Sequence, residues 1–343
     1  MSTAGGYRDA GVNLDLAERA KRRIQEAVSG TRTALSVGIP GAFGGMVRVP
    51  EGMHSPVLVM STDGVGTKVL VAAAAGIYDT VGEDLVNHSI NDILVHGARP
   101  IAFMDYIAGS DLTVDQIAGL VDGIARGCRA HEMTLAGGET AQMPGLYQPG
   151  HYDLAGTIIG VVEEEEALHG DRIAPGDILL GYASNGLHTN GYSLARRILF
   201  DKCDLQTSDV LDVTGRTVAE ELLQVHRSYA SCINPVIEQI HGLAHITGGG
   251  IAGNLVRILP EGVRAVVDSA SWELPPFFRF LQEAGNVPTD EMRNVFNVGV
   301  GMIAVLPPDR VTAVQSAAVA GGVLAWVMGE VVRGDNAVDF SAG

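Results

Sequence analysis

The chain has 343 residues, of which 46% are hydrophobic and 18% are charged. This length exceeds the size at which a single hydrophobic core stops growing, so it predicts two domains, and the composition excludes a disordered chain. The formal net charge is −17. Because nucleic acids and anionic membranes are bound through clustered Lys and Arg, this charge argues against both classes of partner.

The cysteines and the apolar runs bear on the compartment. Cys128, Cys203 and Cys232 are far apart and show no Cys-x-x-Cys spacing, which argues against a disulfide framework and a zinc site. The N-terminal residues lack the apolar core of a signal peptide, and the longest apolar run, 69–77, is too short to span a membrane. We therefore expect a cytoplasmic protein.

In the first half of the chain, helix and strand patterns alternate, which is typical of an α/β layered domain. Apolar residues recur at helical spacing over 16–27, and Thr113 with Gln116 forms a capping box before an amphipathic helix. The other predicted elements are strands over 56–61, 101–108 and 154–162 and a helix over 82–96.

The acidic run 163–166 is the clearest break in composition, and a loop-like stretch follows it. We place the boundary between Leu168 and Ala174, which gives an N-terminal domain, 1–170, and a C-terminal mixed α/β domain, 171–343. In the second half the predicted strands are 178–183, 265–268, 299–306 and 323–332, and the predicted helices are 192–200, 251–259 and 310–320.

Three carboxylates have a setting that ordinary surface acids lack. Asp63 follows a strand in TDGVGTK, Asp92 lies on a predicted helix in NDILVHGARP, and Glu139 follows a strand in GGET. Carboxylates at strand ends beside glycines suit Mg²⁺, which takes a few hard oxygens together with water and substrate phosphates. Each acid alone could simply cap a turn, but the three together, with Lys68 close by, favour a magnesium–nucleotide site.

Two histidines lie beside glycine turns that open helices. His188 lies in SNGLHTNGYSL (184–194), and His245 begins HITGGG (245–250). Such turns suit an anion, so we expect the two segments to bind substrate phosphate or to transfer protons. The other histidines, His226 among them, have no such setting and are predicted to be structural.

The glycine-rich run 38–45 matches neither the Walker pattern nor the Rossmann fingerprint. The run is therefore either a mobile surface loop or a lid over a nucleotide, and the residues alone do not separate these alternatives.

Eight strings, in order along nearly the whole chain, resemble the phosphoribosylformylglycinamidine cyclo-ligase (AIR synthetase) family. They are YRDAGV, TDGVGTK, GEDLV with NDILVHGARP, LAGGETAQMPG, DLAGTIIGVVE, SNGLHTNGYSL, HITGGG and FNVGVGM. The first few also resemble a wider superfamily that holds formylglycinamidine ribonucleotide synthetase, selenophosphate synthetase and thiamine-monophosphate kinase. The strings at 184–194, 245–250 and 296–302 resemble the cyclo-ligases in particular.

The resemblance implies a homodimer whose N-terminal domains together form a β-barrel, with ATP near the domain cleft. It implies that formylglycinamidine ribonucleotide and ATP react to give aminoimidazole ribonucleotide, ADP and phosphate. The implied ligands of Mg²⁺ are Asp63, Asp92 and Glu139, and the implied catalytic residues are His188, His245 and Asp92.

The resemblance also implies two sets of binding residues. Those expected to contact ATP are Gly41, Phe43, Gly44, Asp63, Gly64, Thr67, Lys68, Asn91 and Gly138. Those expected to contact the substrate are Ser184, Asn190, Gly191, Ser193, Thr247, Gly248, Gly249 and Asn297. Within the second set, Asn190 and Ser193 are expected at the 5′-phosphate.

The chain also departs from the family pattern. Gln25 stands where relatives commonly carry lysine, and Pro40 and Ala42 replace leucine and glycine in the glycine loop. Either Lys21, Arg22 or Lys68 takes over an ATP contact, or nucleotide affinity is lower. Two other functions stay open: a small-molecule kinase of the same superfamily, which needs no histidine turns, and a non-catalytic metal- and nucleotide-binding module.

Overall fold

The computed structural model describes residues 23–37 and 44–341. The chain divides into two compact units: unit 1 comprises the described residues up to 89 together with 100–161, and unit 2 comprises 90–99 and 162–341. The expectations for Lys21, Arg22, Pro40, Gly41, Ala42 and Phe43 lie outside the described residues.

Unit 1 is built from a four-stranded sheet and helices. Its elements are α1 (23–29), β1 (Ser36–Val37), β2 (Met46–Val47), β3 (Pro56–Gly64), α2 (Lys68–Ala75), α3 (Asp79–Leu94, whose residues from 90 onward belong to unit 2), β4 (Arg99–Gly109), α4 (Val114–Ala130), β5 (Thr134–Gln142) and β6 (Tyr152–Glu163). The strand order in the sheet is β3-β6-β4-β5, and β4 and β5 run parallel.

Helix α4 joins the parallel strands β4 and β5, as a crossover between parallel neighbours requires. It begins at the predicted capping box, in which Thr113 and Gln116 each bond the other's backbone N–H. Helices α3 and α4 approach closely because both carry glycine at the contact: a Cβ on Gly82 or Gly123 would collide with a carbonyl of the other helix.

One part of the sheet of unit 1 exposes large apolar side chains. They are Leu58 and Met60 on β3 and Met104 and Tyr106 on β4. Met60 alone is 66% exposed. Strand β6 lies between β3 and β4. Large exposed apolar side chains concentrated on one sheet are typical of an interaction site.

Unit 2 is built around a six-stranded sheet. Its elements are β7 (Ile178–Ala183), α5 (Tyr192–Arg196, continued by a π-helical segment Arg197–Lys202), β8 (Val210–Leu211), β9 (Arg216–Thr217), α6 (Val218–Leu222), α7 (Ala230–Ile233), β10 (Gly242–His245), α8 (Gly250–Leu255), β11 (Val263–Asp268), α9 (Pro276–Gly285), α10 (Thr289–Val295), β12 (Val300–Leu306), α11 (Val311–Ala320), β13 (Ala325–Arg333) and β14 (Ala337–Ser341). The strand order is β10-β12-β7-β13-β11-β14, antiparallel except for the β11–β14 pair.

The predicted alternation of helices and strands is confirmed in both units, and β7 has the predicted bounds. Two strands run further than expected: β3 extends through Gly64 and β5 through Gln142. Asp63 and Glu139 therefore lie within strands and not after them, because ladder pairing outweighs the turn preference of the neighbouring glycines. Across the described residues, no helix has the length and apolarity needed to cross a membrane.

Candidate functional site

In unit 1, Asp63 is held by a buried histidine. Its Oδ2 lies 2.7 Å from Nε2 of His88 on α3, and its Oδ1 accepts a hydrogen bond of 2.6 Å from the backbone N–H of Gly64. The Asp63 side chain is 45% exposed, whereas that of His88 is 6% exposed. A carboxylate that is oriented from behind and exposed in front is a suitable ligand for a hard cation. The sequence patterns did not single out His88.

Glu139 is exposed on β5, where it pairs with Tyr106 of β4. Strands β6 and β4 separate β5 from β3, so Asp63 and Glu139 lie on opposite edges of the sheet. At the usual strand spacing this is a separation of about 14 Å. The assignment of Asp63, Asp92 and Glu139 to Mg²⁺ remains a prediction.

A glycine is required at position 138 because Asp105 lies opposite it on β4. The carboxylate of Asp105 occupies the space that a Cβ on Gly138 would need. Burial raises the pKa of Asp105 to about 7. The glycine at this place is therefore required by packing within the sheet, whatever it also does for a nucleotide.

Lys68 does not reach the surface. Its Nζ lies 2.8 Å from Oδ2 of Asp84 and 2.9 Å from Oδ1, and both side chains are fully buried. Burial lowers the pKa of Lys68 and outweighs the attraction of Asp84. An amphipathic residue at the start of α2 is drawn into the core by its buried counter-ion, and the expected contact between Lys68 and ATP remains a prediction.

The other described residues expected at the nucleotide are distributed along unit 1. Gly64 ends β3 and Thr67 directly precedes α2. Gly44 is exposed with a positive φ of 73°. Their places are compatible with backbone contacts to a ligand, and their roles remain predictions.

In unit 2, three buried histidines form one network with Asp92. Nδ1 of His245 donates to Oδ1 of Asp92 at 2.8 Å. On its other side, Nε2 of His245 lies 3.2 Å from Nε2 of His226. The ring of His226 stacks on that of His188, with 4.1 Å between their centres. His226 was predicted to be structural and ordinary; the structure corrects this, since His226 lies between the two histidines singled out from the sequence.

The amide of Asn91 fixes His226. Its Oδ1 accepts from the backbone N–H of Tyr229 at 3.0 Å, and its Nδ2 donates to the carbonyl of Arg227 at 2.8 Å. These backbone partners settle the amide orientation, which places Nδ2 also 3.2 Å from Nε2 of His226. Asn91 is fully buried and organises the histidine network. Its expected contact with a nucleotide remains a prediction.

His188 is held in the left-handed region, with φ of 62°. Its Nε2 lies 3.0 Å from Oδ1 of Asn185, whose Nδ2 donates to the carbonyl of Val225 at 2.7 Å. Oδ1 is therefore the acceptor, and the Nε2 of His188 carries a hydrogen. Gly301 leaves room for this ring, because a Cβ there would collide with His188 and with the hydroxyl of Tyr229.

Asn297 is a clamp for the loop before His188. Its Oδ1 accepts from the hydroxyl of Ser184 at 3.0 Å, and its Nδ2 donates to the carbonyl of Gly186 at 2.9 Å. The side chain is only 2% exposed. Asn297 therefore positions Ser184, and its expected contact with the substrate remains a prediction.

The remaining expected substrate residues lie at two turns of unit 2. Gly191 precedes α5 and Gly249 precedes α8, each with a positive φ, and Ser193, Gly248 and Gly249 are exposed. The turns are close to each other, since Oδ1 of Asn190 lies 3.5 Å from where a Cβ of Gly248 would stand. Thr247 bonds Asn254 of α8 at 3.3 Å.

A cavity of about 380 Å³ opens in unit 2 beside this network. It is lined by Ser184, Asn185, Gly186, Thr214, Arg216, Glu221, Gln224, Arg227, Pro275, Pro276, Phe277 and Phe278. Asn185 thus belongs both to the cavity wall and to the partners of His188. A pocket of this size with one apolar wall and one polar wall suits a small polar ligand.

Both halves of the chain match known protein families. Residues 44–162 match the family model of AIR synthase related protein, N-terminal domain, and residues 174–340 match that of the C-terminal domain. The chain is 46% identical over 330 residues to a phosphoribosylformylglycinamidine cyclo-ligase of Sorangium cellulosum (strain So ce56), which covers 95% of each chain. It is 43% identical to the protein of that name from Desulfatibacillum aliphaticivorans, which covers 98% of each.

Solved structures share the fold. A thiamine-monophosphate kinase from Stenotrophomonas maltophilia K279a superposes with a TM-score of 0.69 at 18% identity, over 96% of each chain. The hydrogenase maturation protein HypE in complex with ATP superposes with a TM-score of 0.62 at 20% identity, over 92% of this chain and 86% of that one.

Proposed function

Because the chain belongs to the phosphoribosylformylglycinamidine cyclo-ligase family, we propose that it converts formylglycinamidine ribonucleotide and ATP to aminoimidazole ribonucleotide, ADP and phosphate. One observation carries the proposal. Three strings that resemble the family, those holding Asp92, His188 and His245, supply members of a single buried network in unit 2. A non-catalytic module has no need of such a network.

The chemistry requires a leaving group that the substrate lacks. The formyl oxygen is a poor leaving group, so the γ-phosphoryl group of ATP is transferred to it and ADP departs. The amidine nitrogen then attacks the same carbon, the imidazole ring closes, and phosphate leaves with the former formyl oxygen. Protons must move during ring closure, and we assign that task to His188 or His245, with Asp92 orienting His245.

We assign the binding of Mg²⁺ to Asp63, Asp92 and Glu139. The support within unit 1 is the partly exposed carboxylate of Asp63, which His88 orients. When bound, Mg²⁺ supplies charge neutralisation for the phosphates of ATP. Because Asp63 and Glu139 lie on opposite edges of the sheet, they serve different ions within one chain.

We assign nucleotide binding to the N-terminal domain, 1–170, and substrate binding to the C-terminal domain, 171–343. Gly64 at the end of β3 and Thr67 directly before α2, together with Gly44 and Gly138, are the described candidates for nucleotide contacts. Ser184, Asn190, Gly191, Ser193, Thr247, Gly248 and Gly249 are those for the substrate. The exposed turns of this second set support that assignment.

We further propose that the protein is a homodimer that joins the sheets of unit 1 in a barrel. The support is the apolar surface of Leu58, Met60, Met104 and Tyr106, which a partner copy would cover. Sedimentation of the parent and of Met60→Glu tests this, with Leu324→Glu as the matched control. Leu324 is 67% exposed in unit 2, so its charge should leave the dimer intact, whereas the charge at Met60 should give monomers.

The experiment for the reaction supplies formylglycinamidine ribonucleotide, ATP and Mg²⁺ to the purified protein. We expect ADP and aminoimidazole ribonucleotide in equal amounts, and neither product when the substrate or the metal is omitted. ADP formed only with another acceptor, such as thiamine monophosphate, would instead identify a kinase of the same superfamily.

A further inference from the structure

The cavity of unit 2 contains an unbalanced positive charge. Two arginines line it, Arg216 and Arg227, and one carboxylate, Glu221. Nη1 of Arg216 lies 3.5 Å from Oε2 of Glu221, so these two neutralise each other. Burial raises the pKa of Glu221, and the attraction of Arg216 opposes that rise. The charge of Arg227 remains.

Arg227 is half-buried and uses little of its donor capacity inside the protein. Its Nη1 donates to the carbonyl of Ala183 at 3.0 Å. Across 23–37 and 44–341 no carboxylate forms an ion pair with Arg227, whereas Arg126 in unit 1 binds both Asp79 and Glu83. A guanidinium has five N–H donors in a planar fork, and a partly desolvated one without an anion is unfavourable. The cavity is therefore shaped and charged for an anionic ligand.

We propose that Arg227 binds the 5′-phosphate of the substrate within this cavity, an inference that rests on the proposed function. A phosphate monoester dianion must enter a chain of net charge −17, so it needs a local cation. Asn190 and Ser193, expected at this phosphate from their turn, carry no charge. A fork of N–H groups also matches two phosphate oxygens, which is the geometry in which arginine binds such groups best.

The position of Arg227 relates the phosphate to the reacting end of the substrate. Asn185 lines the same cavity and accepts the hydrogen bond from Nε2 of His188. A ligand held by its phosphate at Arg227 therefore extends along a wall that includes the partner of His188. The apolar wall, Pro275 to Phe278, would pack against the sugar.

Steady-state kinetics of Arg227→Met and Arg227→Lys test the proposal. We expect Arg227→Met to raise the KM for formylglycinamidine ribonucleotide about 30- to 100-fold, while the KM for ATP and kcat change less than about threefold. Arg227→Lys should fall between the parent and Arg227→Met, because it keeps the charge and loses the fork. Arg279→Met is the matched control, since Arg279 donates to the carbonyl of Leu274, is exposed and does not line the cavity.

A binding measurement separates the subsite from the proposed reaction. Ribose 5-phosphate should bind the parent in calorimetry and compete with the substrate, and ribose should do neither. Its affinity should fall in Arg227→Met as much as the substrate KM rises. Equal affinity for parent and variant, or a loss of kcat at unchanged KM, overturns the subsite even if the parent turns over. Binding lost in the variant while the parent shows no turnover leaves the subsite standing and removes the proposed reaction.

Discussion

Nδ1 of His245 lies 2.8 Å from a carboxylate oxygen of Asp92, and Nδ1 of His241 lies at the same distance from Asp177 in the same unit. The two pairs have the same N–O distance, but they differ in what surrounds them. The first continues through His226 to His188, whereas the second fixes the turn before β7, where Asp177 also accepts from the backbone N–H of Ala174.

This likeness gives a controlled test of catalysis. Asp92→Asn should lower kcat by roughly 100-fold, because a neutral amide no longer holds His245 in the orientation and tautomer that the carboxylate imposes. Asp177→Asn should reduce the melting temperature and leave kcat within about twofold. Turnover equal in the parent and both variants, measured as aminoimidazole product, would remove the catalytic role of Asp92.

The buried position of His226 predicts a loss of stability as well as of activity. In His226→Phe, the Nε2 of His245 and one N–H of Asn91 lose the partner shown here. The free energy of unfolding should fall by about 2–3 kcal/mol, and kcat should fall because His245 is less firmly held. Denaturant titration gives the first quantity. Thr189→Val, which removes the longer 3.3 Å contact to Nδ1 of His226, should cost less than about 1 kcal/mol.

The buried pair of Lys68 and Asp84 predicts that a substitution of Lys68 lowers stability and leaves the KM for ATP unchanged. Lys68→Met removes the cation that lies 2.8 Å from the buried carboxylate of Asp84, so the free energy of unfolding should fall by roughly 3–5 kcal/mol. The double variant with Asp84→Leu should recover much of this loss. Below the melting temperature, the KM for ATP should be unchanged. A raised KM at parental stability would show that Lys68 reaches the nucleotide after all.

The raised pKa of Asp105 predicts how stability depends on pH. Its folded-state pKa of about 7 lies above the value of an exposed aspartate, so the folded state binds the proton more tightly. The contribution of Asp105 is therefore complete below about pH 4 and is lost as pH rises to about 7. Asp105→Asn should remove this part of the pH dependence and raise stability at pH 8 by roughly 4 kcal/mol, since the pKa is raised by about 3 units at about 1.4 kcal/mol each. An unchanged pH profile of unfolding contradicts this.

The alternation of elements, the capping box of α4 and the bounds of β7 were predictable, because each depends on local spacing of apolar and capping residues. The same local patterns identified His188 and His245 beside their glycine-rich turns and Asp92 on its helix. His226 and Arg227 lie in a stretch without such a signal, between α6 and α7. Their partners lie on strands and helices that are distant in the chain, so only the folded structure shows these contacts.

Local sequence patterns were therefore sufficient for the two-domain α/β character, the family and the strings that hold the candidate site residues. The contacts among those residues depend on the tertiary structure. It buried Lys68 against Asp84, placed Asp63 and Glu139 on opposite edges of one sheet, and turned Asn91 and Asn297 into internal clamps. The physical reason is that strand order, hydrogen-bond partners and burial depend on contacts between residues distant in the chain, which local periodicity does not encode.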